Sequence, residues 1–190
     1  MRLIEKGDAL SQVLQKVKSQ LVAAAANPAH AWRFASLATG VPGNLGLRYV
    51  VLRAVEGDLR LFFYTDIRTD KVMQISLNAE VAVLFYNPEQ RVQLRINGKA
   101  KCHHQNETSQ KHWEQVGARS AKAYASVEKP GDAIAQPEAA HDWLEPLDDR
   151  YFAVIEVIPF RLDLLQLAGL EHLRARFKKE EDWQGQWVAP

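Results

Sequence analysis

Two periodicities divide the chain. Residues 8–26, "DALSQVLQKVKSQLVAAAA", repeat apolar positions at helical spacing, with Leu10, Val13, Leu14, Val17, Leu21 and Val22 on one stripe. Asp8 is the expected N-cap, and Asn27-Pro28 ends the helix. Period two then takes over. Residues 32–39, 47–55 and 59–65 read as strands, the last two joined through "EGD" as a hairpin. Residues 69–78 predict a short helix capped by Thr69, and 80–87 a strand apolar on both faces. Residues 91–103 alternate, with Gln93, Arg95 and Asn97 opposite Val92, Leu94 and Ile96. One or two helices, broken near Gly117, cover 107–126, and 127–140 is an exposed loop. Residues 151–167 predict two strands interrupted by Pro159, and 172–180 alternate again. This order predicts a mainly β protein with flanking helices (α+β), an antiparallel barrel and not a βαβ array. One domain spans residues 1–190, with an N-terminal helical segment (1–30) and a helical and loop insertion (107–145).

Composition narrows the partners. The 190 residues are 47% hydrophobic and 25% charged, and 24 basic against 23 acidic side chains leave a net charge of +1. No nucleic-acid or membrane-surface field follows from that balance. No run approaches the roughly 18 apolar residues of a membrane span, and "MRLIEKGDALSQ" does not read as a secretory signal. The single cysteine, Cys102, has no partner for a disulfide and none at zinc-ligand spacing, so a reducing cytoplasm and no metal are expected.

The chemistry concentrates in two stretches. "RYVVLR" (48–53) places a guanidinium at each end of an apparently buried strand, Arg48 on one face and Arg53 on the other. A buried guanidinium without an anionic partner costs several kcal/mol. "YTDIRTDK" (64–71) then gathers Tyr64, Thr65, Arg68, Thr69 and Lys71 around a strand end and a helix start. Hydroxyls, cations and free backbone N–H groups within one helical turn suit a phosphate. For "TDIRTDK" by itself, a capped helix with solvated charges is the better explanation; Arg48 in the buried-looking strand next to it favours the phosphate. Gln93 opens a polar strand face, which suits either water or a ligand that needs both donor and acceptor.

The ordered set "RYVVLR", "FFYTDIRTDK", "VAVLFY", "QLRINGKA" and "HWEQVGARSAKAYASVEKPG", with "RARFKK" near the end, resembles the pyridoxamine 5'-phosphate oxidase-like flavoproteins, across nearly all the chain after residue 30. The resemblance implies an FMN-binding split β-barrel and a homodimer with FMN at its interface. It implies that Arg48, Lys71 and Thr69 hold the phosphate, with Arg68 beside them. The segment Arg48, Tyr49, Val50, Val51, Leu52 and Arg53 would run under the flavin. Tyr64 and Thr65 would flank it, Gln93 would bond its pyrimidine end, and Arg176 would approach from the late strands. Five residues of strand span about 16 Å, comparable to FMN from ring to phosphate, so Arg48 and Arg53 could serve its two ends.

The substrate motif departs from that of the true oxidases. Their Arg-x-His pair is replaced by His172-Leu173-Arg174, and their tyrosine, arginine and serine by His112, Val116 and Ser120; a tryptophan near their flavin aligns with Gln166. Arg53, His112, Ser120, His172 and Arg174 are the resulting candidates for a small, anionic substrate. The expected activity is an FMN-dependent oxidoreductase. The alternatives are a non-catalytic flavin carrier or sensor, and a haem-binding split barrel using the tandem His103-His104, which are otherwise expected in solvent at a strand end.

Overall fold

The structure is a computed structural model and describes residues 2–167 and 169–190. Helix α1 (Leu10–Ala26) is followed by strands β1 (Phe34–Val41), β2 (Asn44–Glu56) and β3 (Arg60–Asp66), then helix α2 (Asp70–Leu77). Strands β4 (Glu80–Asn87) and β5 (Val92–His103) lead into helices α3 (Glu107–Trp113) and α4 (Ala118–Ala121). Strands β6 (Phe152–Gln166), β7 (Leu173–Lys178) and β8 (Gly185–Val188) finish the order. The sheet runs β3-β2-β1-β4-β5-β6-β7-β8, and β3 also pairs with β6. Strands β1 to β6 therefore close into a six-stranded barrel, with β7 and β8 extending from β6.

The barrel interior is the apolar half of each alternation: Leu37, Val50, Leu52, Leu61, Phe63, Val83, Phe85, Leu94, Ile96, Ile155 and Val157 are buried. Helix α1 packs Val13, Val17 and Leu21 onto this core, and α2 packs Ile75. A second cluster (Phe62, Tyr124, Phe152 and Val154) lies on the outer face of β3 and β6, beneath the 107–145 insertion. No helix among the described residues is long and apolar enough to cross a membrane.

Four local expectations need correction. Ala9, not Asp8, is the N-cap of α1, and its N–H donates to Gln12 Oε1 at 2.9 Å. Asp8 instead accepts from the Glu5 N–H and pairs with Lys16 at 2.6 Å. The first strand starts at Phe34 because Ala31–Arg33 forms a 3-10 turn that buries Trp32 completely. Pro159 does not divide 151–167. Strand β6 is continuous through it, because the register with β5 shifts between Asn97 and Gly98, opposite the proline. At such a bulge the missing proline N–H breaks no ladder bond. Gly98 fits there because a Cβ would come within 2.7 Å of the Ile158 carbonyl oxygen. Finally, His103 is not solvated: it is 5% exposed and 2.8 Å from Glu156 across the β5–β6 ladder.

Candidate functional site

A local irregularity opens the barrel. The β2–β3 ladder runs only from Glu56↔Arg60 to Leu52↔Phe63, with a register shift between Leu52 and Ala54. Arg53 is therefore the bulged residue, and a bulge ends pairing and bends its strand. Beyond it, residues 44–51 of β2 pair only with β1, while Tyr64, Thr65 and Asp66 of β3 pair only with β6. The two strands diverge into a cleft. One wall is the open edge of β2, the other the end of β3, and α2 begins next to it. The bulge also revises the two-face reading of 48–53. Arg48, Val50 and Leu52 share the interior side, with Val50 and Leu52 in the core. Tyr49 is 79% exposed on the outside, and Arg53 belongs to neither simple alternation.

At the α2 end of the cleft stand two cations. The Arg48 guanidinium donates to the Leu37 carbonyl at 3.1 Å, Thr39 Oγ1 at 2.6 Å and Gln74 Oε1 at 3.4 Å. All three are neutral oxygens. Gly46 makes the room, since a Cβ there would collide with the Arg48 guanidinium. Lys71 Nζ donates to Thr65 Oγ1 at 3.0 Å, and Thr65 and Thr69 hydroxyls lie 3.3 Å apart. Burial holds the Lys71 amine below the ordinary lysine range, and the nearby Arg48 charge lowers it further. Burial likewise lowers the Arg48 pKa, against a smaller opposing effect of Asp70. Among the described residues neither cation forms an ion pair. Thr69 is the N-cap of α2, yet its hydroxyl donates to the Asp66 carbonyl at 2.7 Å and does not cap the helix. Two adjacent cations, two hydroxyls and an uncapped helix start are the donor set of a phosphate dianion.

A second group surrounds the bulge. The Arg53 guanidinium lies 5.3 Å from the Tyr64 ring centroid, and its Nε is buried without a partner. Burial raises the Tyr124 phenol, opposed by the charge of Arg53 and a hydrogen bond from it. Burial lowers the Arg33 pKa, followed by the proximity of Arg53; Arg33 itself donates to the Ala24 and Ala25 carbonyls at the end of α1. Tyr64 Oη is 3.1 Å from His112 Nδ1.

The remaining expected residues are elsewhere. Arg68 is committed to the loop: it chelates Asp66, with Nη2 to Oδ2 at 2.7 Å, donates to the Ser126 and Val127 carbonyls, and stacks 3.6 Å from the Tyr151 centroid. Gln93 faces outward on β5, opposite Leu165. On the same outer face Asp163, 2% exposed, gathers three arginines: Arg174 Nε at 2.8 Å, Arg95 Nη2 at 3.1 Å and Arg176 Nε at 3.4 Å. Burial pushes the Asp163 carboxyl up, but the Arg174 hydrogen bond and the three charges outweigh it and hold it below the ordinary range. His172 and Arg174 line a recess with Lys6 and Trp187. Ser120 is exposed on α4 while His112 is buried on α3, so the two do not form one polar surface. Gln166 is fully buried, accepts from the Leu3 N–H at 2.9 Å and donates to the Gln90 carbonyl, so Leu165 is the residue facing outward beside Gln93. The two histidines that could ligate haem are both engaged, His103 with Glu156 and His104 with the Phe152 carbonyl at 3.0 Å. Sequence reasoning missed the Asp163 cluster, because its four members come from three strands.

Comparison with known proteins gives this geometry a context. Residues 10–104 match the family described as "Pyridoxamine 5'-phosphate oxidase, FMN-binding domain". A pyridoxine/pyridoxamine 5'-phosphate oxidase from Chromobacterium violaceum is 41% identical over 63 residues, 33% of this chain. The match spans only 29% of that relative's length. Among solved structures, a pyridoxamine 5'-phosphate oxidase-related, FMN binding protein from Nostoc punctiforme superposes with a TM-score of 0.75 at 21% identity, covering 92% of this chain and 96% of that one. PhzG from Burkholderia lata, in complex with tetrahydrophenazine-1-carboxylic acid, gives 0.73 at 20% identity, covering 93% and 92%. At such identities these two structures establish the split-barrel fold.

Proposed function

Because this chain belongs to the pyridoxamine 5'-phosphate oxidase FMN-binding domain family, with FMN as its cofactor, we propose that it is an FMN-dependent oxidoreductase acting on a small anionic molecule. The observation that carries the reading is the Arg48–Lys71 pair, two partly buried cations beside the β2–β3 cleft with only neutral oxygens for partners. A phosphate is the group that this donor set lacks. Arg48 would bind it through a planar fork and Lys71 as a point charge, with Thr65 and Thr69 completing the cradle. The open edge of residues 48–51 and the end of β3 then wall the flavin. Bound FMN supplies a two-electron acceptor at its N5. The chain's part is to orient and to place charge: Arg53, held over Tyr64 and close enough to Tyr124 to act on its phenol, is positioned to receive the anionic end of a substrate.

A second copy of the chain fits the outer apolar face. Leu45, Leu47 and Tyr49 on β2 are 86%, 73% and 79% exposed, and Tyr86 on β4 is 45% exposed. A contiguous apolar patch of this kind marks an association surface. In a homodimer this face is covered, and Gln93 and Arg176, outward on the same sheet, reach a cofactor at the interface.

A non-catalytic carrier is the second reading. The commitment of Arg174 to Asp163 favours it, since that arginine is drawn toward a carboxylate and away from the role of free substrate ligand. Titration with FMN, followed by flavin fluorescence, tests binding. Turnover assayed with pyridoxamine 5'-phosphate and a panel of small anionic amines and alcohols separates the readings: oxidation of any of them supports the oxidoreductase, and a protein that binds FMN tightly and oxidises none is a carrier. A protein that neither purifies yellow nor takes up FMN overturns both.

A further inference from the structure

His112 is buried to 1% exposure, yet nothing in the proposed cofactor cradle uses it. Its position is built with care. Asn106 caps α3 by accepting from the Ser109 N–H at 3.0 Å while the Asn106 N–H donates to Ser109 Oγ at 2.9 Å, which fixes the helix that carries it. The ring packs 4.9 Å from Phe62 and edge-on to Tyr64, and Nδ1 meets the Tyr64 hydroxyl at 3.1 Å. His112 also lines a cavity of about 270 Å³, whose wall includes Glu56, Arg60, Glu107, Lys111 and Glu156. That cavity is rich in groups that exchange protons. Lys111 pairs with Glu56 at 2.9 Å, and Arg60 pairs with Glu156 at 3.0 Å. Glu156 also holds His103 at 2.8 Å. Tyr64, in turn, ends the wall of the β2–β3 cleft, under the Arg53 guanidinium.

We propose that Tyr64 and His112 form a proton relay between the cleft and this polar cavity, with His112 the positioning residue that sets the Tyr64 hydroxyl. The inference rests on the reading that FMN occupies the cleft. In reoxidation of the anionic, two-electron-reduced FMN by dioxygen, the oxidant would take both electrons and the one proton that the reduced flavin carries at N5, and hydrogen peroxide would leave only after a second proton is added from outside the flavin. That proton comes from the Tyr64 O–H. The bond is re-formed from the proton on His112 Nδ1, and His112 regains one at Nε2 from cavity water. One proton enters and one leaves, and no electron passes through either residue. For a substrate oxidation that releases a proton, the relay runs in the opposite direction.

The test uses Tyr64→Phe and His112→Gln, either of which is decisive alone. In the FMN-free protein the His112 resonance, identified by its loss in His112→Gln, is followed by nitrogen-15 NMR across pH. A Tyr64→Phe shift in its titration midpoint and tautomer supports the coupling, and an unchanged titration overturns the relay. In the FMN-loaded protein, dithionite-reduced and mixed with air-saturated buffer, each variant is expected to reoxidise roughly tenfold more slowly, a modest share of the 10²–10⁴ typical of positioned acid–base groups. The wild-type pH inflection is lost in each, and the double variant is no slower than the singles. Wild-type rates and profile in both variants overturn the proposal. FMN affinity, measured in parallel, keeps the two readings apart: a wild type that does not bind FMN removes the cofactor reading, whereas variants that bind FMN and keep the inflection remove only the relay.

Discussion

Two groups of cations on one barrel meet the same electrostatic problem in opposite ways. On the outer face, Arg95, Arg174 and Arg176 converge on Asp163, a carboxylate that the chain itself supplies. At the α2 end of the cleft, Arg48 and Lys71 form no ion pair among the described residues: their hydrogen-bond partners are a carbonyl, hydroxyls and an amide, and Asp66 and Asp70 offset burial only in part, from a distance. Burial disfavours a charge unless it is paired. The first cluster is paired within the fold and reads as architecture with residual positive charge. The second leaves much of the cost standing, and under the proposed reading the FMN phosphate would offset it. The position of missing countercharge, more than the number of cations, separates a ligand site from a structural one.

The comparison breaks first at Asp163. Asp163→Asn leaves three guanidiniums around a neutral amide, and a stability loss of about 3 kcal/mol is expected, at the low end for a broken buried pair because the arginines keep water. Urea unfolding measures it. A loss below a few tenths would make this cluster a surface feature. Arg48→Ala is expected to do the reverse. It costs about 1.5–3 kcal/mol of FMN affinity, roughly 10- to 150-fold, while the FMN-free protein loses far less stability than in Asp163→Asn, since a repulsion with Lys71 is relieved. Unchanged FMN binding would remove Arg48 from the cradle. Lys71→Met sharpens the contrast at about 1.5 kcal/mol of FMN affinity, a single point charge being a weaker phosphate ligand than a planar fork. The lowered Lys71 pKa adds a sign: in wild type, FMN affinity falls as pH rises through a midpoint below the ordinary 10.5, and Lys71→Met loses that limb.

Much of this molecule was legible in the chain, and the gaps have a common cause. Alternation along 47–55, 59–65, 80–87 and 91–103 reports which residues face a core, so the strands, the barrel class and the helix at 70–77 follow from local pattern. Arg48, Thr65, Thr69 and Lys71 stand together in space because a hairpin and the helix after it bring them together within 24 residues of chain. What depends on pairing between distant strands was not legible. The bulge at Arg53 appears only in the register with β3. Continuity through Pro159 depends on a bulge opposite Gly98. The burial of His103 depends on Glu156, 53 residues away. Arg68 looked like a ligand because it lies between Thr65, Thr69 and Lys71 in the chain, but Asp66, two residues earlier, claims it.

The smallest expected effect concerns His112 and acid. Its pKa is lowered chiefly by burial, with Glu56 opposing and Lys111 and His103 reinforcing; Glu156, Arg60 and Glu107 complete the charges that face it from β6, β3 and α3. A base whose folded pKa is depressed is protonated more readily when unfolded. Stability is therefore full above the ordinary value of 6.5 and is lost as pH falls from there through the folded pKa. His30, also lowered by burial, contributes a second share of the same sign. Thermal unfolding of wild type and His112→Gln at stepped pH separates the two: the variant's acid-side slope should shrink but not vanish, with His30 carrying the remainder. An identical slope in both proteins would mean that His112 takes up its proton in the folded state as easily as in water, which a ring enclosed by Phe62 and Tyr64 could do only if Glu56 or Glu156 moved in to neutralise it.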